Sequence, residues 1–205
     1  MLNVDQVNAL YTKRNTSVQI VNVPLYDEQV RQYLTRLRQL RNQIGELAHD
    51  DSIKPFFKWF YAVQRCLVST FLPAEPKLLG YTDADLDRLN SQLPIIEFTC
   101  SYRQQIEELL NQSLNFKKDS NLAHQQFHSL SDIDLKKGKK CCYVPAPKLF
   151  NLKLIEDEMS REFPAIGFRS QNQLRSENLL SFHPYRTKWD SLFFSGPRAW
   201  YSDYP

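Results

Sequence analysis

Only five glycines, at Gly45, Gly80, Gly138, Gly167 and Gly196, punctuate a chain of 205 residues. A turn-dense β-barrel or a many-stranded α/β sheet needs glycine at numerous tight turns and close backbone approaches. A chain this poor in glycine is driven toward helices. Its length suits one domain, at most one with an appendage, and suffices to bury a sizeable core.

Apolar spacing then says where the helices lie. From Asp27 to about His49 the residues Val30, Leu34, Leu37, Leu40, Ile44 and Leu47 recur in steps of three and four, which keeps them on one face. Asp27 and Glu28 suit the positive end of that helix. Ile53–Leu72 predicts a second helix, apolar almost all round with Phe56, Phe57, Trp59, Phe60 and Val63. Lys54, Lys58 and Arg65 interrupt it, so it reads as a buried helix, not a membrane span. Pro73 and Pro76 stop it.

Thr82, with Asp85 three residues on, predicts a capped third helix. Pro94 is expected to open a fourth, running to about Asn115 through Phe98, Tyr102, Ile106 and Leu109. A short fifth is expected at Asn121–Leu130. Ser17–Val23 alternates apolar residues and predicts a strand ended by Pro24. Ser131–Lys140 (SDIDLKKGKK) has no apolar period and is expected to be a loop or boundary. Beyond it, a strand is expected around Cys141–Val144, a helix at Lys148–Phe163 and a strand at Ala165–Arg169.

The expected fold is therefore α+β and predominantly helical. A bundle-like N-terminal two-thirds (1–130) precedes a small α+β segment (131–181) and an extended aromatic tail (182–205), in one structural domain overall. The N-terminus has an acid ahead of any apolar run, and neither end carries a lipidation signal. Four cysteines are too few for a disulfide scaffold, and no C-x-x-C pair suggests a zinc ribbon. A cytoplasmic setting with no membrane span is expected.

The tail is the most distinctive stretch. Eight of its 24 residues are aromatic: Phe182, Tyr185, Trp189, Phe193, Phe194, Trp200, Tyr201 and Tyr204. Burying each contributes on the order of 2–3 kcal/mol, so such rings either seal the chain's own core or dock into another subunit. Tyr185, Trp189, Phe193, Phe194, Trp200 and Tyr201 are the candidate partner-binding residues there, since Trp and Tyr are favoured interface anchors. Arg31, Arg38 and Arg41, along one edge of the first helix away from its leucine face, complete the candidate set. A charged helix edge is ordinarily just solvated.

Nucleic acid is the alternative partner. Residues 1–135 carry 14 basic and 16 acidic side chains, a net −2, whereas 136–205 carry 12 and 7, a net +5. Lys136, Lys137, Lys139 and Lys140 form a cationic run, and Arg186, Lys188 and Arg198 lie among the tail's rings. Strong polyanion binders show a denser basic footprint.

Other chemistry is thinly signalled. His124 and His128 share a helical face at metal-ligand spacing, but the glutamate of H-E-x-x-H is missing. Cys141 and Cys142 follow four lysines, which would lower a thiol pKa; the plainer reading is two small strand residues. Asp83, Asp85 and Asp87 imitate a calcium loop, yet Arg88 and Pro94 stand where its Gly and Glu belong. Phosphate-binding, dinucleotide, nucleophile-elbow and kinase motifs are absent.

The expectation is accordingly a non-enzymatic structural or adaptor subunit of a larger protein assembly, such as a viral or phage particle or a cellular machine. It would bind other protein subunits through the aromatic tail and the Arg-rich helix, with no catalytic residue, cofactor or metal assigned. A nucleic-acid-binding accessory protein is the alternative. An unfamiliar enzyme using Cys141, Cys142 or His183 is the third.

Overall fold

The computed structural model describes residues 27–45, 50–96, 100–116, 122–146, 151–170, 173 and 189–196. The strand expected at Ser17–Val23 lies outside them. Within them the chain is α+β and mostly helical: six α-helices and a three-stranded parallel sheet.

Helix α1 spans Glu28–Ile44. The Asp27 carboxylate accepts the Gln29 and Val30 amides at 3.0 and 3.1 Å, taking up donors the first turn leaves without helical partners. Gly45 ends it at a φ of +57°, a conformation that costs glycine little. Tyr33, Leu37, Leu40 and Ile44 are its buried face. Tyr33 was no part of the predicted stripe, yet it is wholly buried and its hydroxyl donates to the Phe60 carbonyl at 3.0 Å.

Helix α2 (Lys54–Ser69) has the expected nearly all-round burial, with Phe56, Trp59, Phe60 and Val63 fully enclosed. Helix α3 (Asp83–Gln92) starts in the predicted capping box: Asp85 N–H donates to Thr82 Oγ1, and Thr82 N–H to the Asp85 carboxylate. The expected fourth helix begins later than Pro94. That proline sits in a 3₁₀ turn, Leu93–Ile95, which Ile96 leaves in an extended conformation, and α4 runs Cys100–Leu114. Helices α1 to α4 enclose one core, where Trp59 Nε1 donates to Ser113 Oγ at 2.6 Å.

The largest departure from expectation is α5, Leu122–Lys136. Six of the ten residues expected to form a loop, 131–136, are helix. Leu135 packs into a second core and Ser131 is buried, while Lys136 pairs with Asp132 one turn back at 2.5 Å. Tertiary packing of these two side chains outweighs a polar composition that has no period of its own. A division at residue 131 would cut this helix in two.

Strand β1 (Cys141–Val144) follows as predicted. Helix α6 is Leu152–Glu162, capped by Asn151, and strand β2 is just Gly167–Phe168. Strand β3, Ser191–Phe194, comes from the region read as a tail. The order is β2-β1-β3, with Cys142 beside Gly167 on one side and Leu192 on the other. A central, fully buried β1 flanked by parallel neighbours is the expected reading of a continuous apolar run.

Sheet face alternation sorts the side chains. Cys141, Tyr143, Phe168 and Phe193 face α5 and α6, forming the second core with Phe127, Ile155, Met159 and Phe163. Cys142, Val144 and Phe194 face the other way, with Trp189 against them. The two cores meet at the connection after α2. Leu78 belongs to the second and its neighbour Leu79 to the first.

Candidate functional site

The exposed surface of α1 carries Arg31, Gln32, Thr35, Arg36, Arg38 and Gln39. The sequence supplies that surface automatically: once Tyr33, Leu37, Leu40 and Ile44 turn inward, the intervening positions must turn out. A shallow depression of about 330 Å³ is lined by Glu28, Arg31, Gln32, Thr35, Arg36 and Gln39. A second, about 200 Å³, shares Arg36 and Gln39 with it and runs between α1 and α4, where Gln105 and Glu108 form its other wall. Its floor is the buried pair Leu40 and Leu109. The two depressions adjoin at Arg36 and Gln39, and the second is the groove proper, with one wall from α1 and the other from α4.

The three arginines predicted to dock differ in their freedom. Arg31 grips Glu28 with two hydrogen bonds, at 2.9 and 3.0 Å. That guanidinium, and then Gln32, hold the Glu28 carboxyl below its ordinary range. Arg41 is turned back onto the helix end, donating to the Gly45 carbonyl. Arg38 is exposed.

Arg36, left out of the predicted set, lines both depressions and reaches Gln112 Oε1 on α4 at 3.4 Å. Across the groove, Glu108 accepts from Gln104 Nε2 at 3.0 Å. Helical spacing alone places Arg36 on the flank of α1 beside its buried stripe. That this flank meets α4 is tertiary information.

Of the predicted aromatic anchors, three pack on or within the chain's own sheet: Phe193 and Phe194 in β3 and Trp189 just before it. Trp189 spans the sheet face to rest on the Gly167 backbone, with the Arg169 guanidinium 5.5 Å from its ring centre. Phe193 meets the Phe127 ring edge-to-face at 5.3 Å. Phe194 packs with Cys142 and Val144. Tyr185, Trp200 and Tyr201 lie outside the described residues, as does His183.

Cys141 and Cys142 are fully buried in β1. The lysines do not activate Cys141: burial, followed by the nearby Asp134 carboxylate, pushes its thiol up. Two of those lysines are already neutralised, Lys136 by Asp132 at 2.5 Å and Lys139 by Asp134 at 2.8 Å.

His124 is buried with Nδ1 3.0 Å from the Phe71 carbonyl oxygen, so that nitrogen must donate, while Nε2 lies 3.9 Å from Glu162. His128 is exposed and packs against the Phe163 ring. Among the described residues, no three His, Cys, Asp or Glu side chains are gathered to hold a metal ion. No described helix is long and apolar enough to cross a membrane.

Comparison with protein-family models, with curated proteins and with solved structures finds no match to this chain.

Proposed function

We propose that the protein is a non-enzymatic structural or adaptor subunit of a larger protein assembly, docking through the polar groove along α1. The observation that carries this reading is the pair of contiguous depressions sharing Arg36 and Gln39 on an exposed helix. Guanidinium groups and side-chain amides there offer directional donors to another protein's carboxylates and backbone carbonyls. Glu28 lines the first depression and Glu108 the second, which disfavours a phosphate backbone as the occupant. The free thiols Cys66, Cys141 and Cys142 suit a reducing, cytoplasmic setting, which belongs to the proposal.

The test is affinity capture from the native source with the wild-type chain and with R31E/R36E/R38E. Proteins retained by the first and lost by the second support docking at α1. Equal retention by both refutes it. Binding of labelled nucleic acid at low salt, lost steeply as salt rises, would instead favour the nucleic-acid alternative.

A further inference from the structure

We infer that the α1–α4 groove takes a second copy of the same chain, related by a two-fold axis that sets Arg36 of each copy against Glu108 of the other. This rests on the reading of α1 as a protein-docking face and names the partner it meets. Arg36 and Glu108 are opposite charges on facing walls of one groove. Among the described residues neither is matched by an opposite charge: Arg36 is held by the neutral amide of Gln112, Glu108 by that of Gln104. A surface that carries both signs side by side is complementary to itself, the requirement of an isologous contact.

Other occupants match the groove less well. An amphipathic helix needs an apolar trough, but Leu40 and Leu109 are buried and the accessible lining is amide and charge. A uniformly acidic segment would meet Glu28 and Glu108 as well as the arginines.

The size of the face sets the strength. Helix α1 has 17 residues, hence a length of about 25 Å, and two adjacent helices are about 20 Å wide. That footprint is of the order of 500 Å² per copy, roughly 1,000 Å² in the pair, at the lower limit of a specific interface. The contact is therefore a weak one, forming in the micromolar range or above, and salt weakens it further.

Sedimentation velocity of the purified full-length chain, from about 1 to several hundred micromolar, is the test. The mass is expected to double with concentration, and less so at high salt. R36E and E108R each place like charges in apposition and are expected to weaken association roughly tenfold or more. The double variant R36E/E108R restores opposite charges and regains much of the loss. Far-UV circular dichroism controls for folding, since both side chains lie at the surface.

A monomer throughout the range, single reversals without effect, or no recovery in the double variant each overturn the inference. If the chain is monomeric while R31E/R36E/R38E still loses captured proteins, self-association falls and the docking function stands. If dimerisation behaves as expected and capture is indifferent to the variant, the groove serves only the second copy.

Discussion

Gly167 shows how one missing atom can order a sheet. A methyl group there would overlap the Cη2, Cζ3 and Cζ2 edge of Trp189. The indole therefore lies on bare backbone, reaching from just before β3 across to β2. Gly167→Ala is expected to destabilise by about 1–3 kcal/mol, the range for overpacking a filled site. Thermal unfolding should fall by several degrees, and by clearly less when Trp189 is first replaced by leucine. An equal loss in both backgrounds would remove the Trp189 contact as the cause.

The cysteines make a second prediction at the same scale. Burial pushes the Cys66 thiol up to about 11, and Cys141 is raised in the same way. Since the thiolate is the nucleophile, both should stay inert to a thiol-specific disulfide reagent at pH 8 until the protein is unfolded. Rapid native labelling of Cys141 would revive the nucleophile reading.

Among elements, α5 and the sheet are tied by Asp134. It takes the Lys139 ammonium at 2.8 Å and the Ser191 hydroxyl at 2.7 Å, linking the end of α5 to the start of β3. Those hydrogen bonds, Lys139 first and Ser191 second, hold its carboxyl below the usual carboxylate range. A carboxyl whose folded pKa lies below its unfolded value binds more protons when unfolded. Its stabilisation is complete above pH of about 4–5 and is lost as pH falls through the folded value. Asp134→Asn should lower stability near neutrality and flatten the decline below about pH 4 in an acid-unfolding series. An unchanged acid limb would show that the carboxylate contributes nothing to it.

The same element explains where sequence patterning ran short. SDIDLKKGKK has only isolated apolar residues, so nothing periodic marks it as helix. Ser131 is nonetheless buried, and Leu135 is partly buried against a core that includes Leu72, Cys141 and Tyr143. The capping box of α3 is legible because donor and acceptor lie within three residues of one another. Arg36 was passed over as a site residue for the opposite reason. Its significance depends on Gln112 and Glu108, some seventy residues away.

Among the described residues the two larger cores are joined by hydroxyl groups. Ser195 Oγ lies 2.5 Å from the Ser69 carbonyl, which can only accept, so Ser195 donates there and receives the Tyr143 hydroxyl at 2.9 Å. The chain runs from β1 through the residue after β3 to the last residue of α2. Ser195→Ala removes the hydroxyl that both neighbours use and is expected to cost about 1–3 kcal/mol; Tyr143→Phe leaves the Ser69 bond intact and should cost about 0.5–1.5 kcal/mol. The reverse ranking in urea unfolding would mean that the relay does not run in this direction.

A chain ending at Lys188 lacks Trp189 and β3, stripping Phe193 from Phe127 and Ser195 from Tyr143. It should lose its sharp unfolding transition. Retention of a cooperative transition would instead mark this segment as a dispensable arm.

By itself the sequence determined the helical character, most of the inward face of α1, the burial of α2, the capping box of α3 and the stop after α2, because these depend on residues within a few positions of each other. Only the tertiary structure decided that part of the aromatic stretch is a parallel strand on β1, and that most of a polar run is helix. It alone made a groove where Arg36 faces Glu108. Each of these joins groups tens of residues apart, as Asp190 caps the Lys140 amide at a separation of 50. No local period can encode such a pairing, since the burial that stabilises it exists only once the chain has folded.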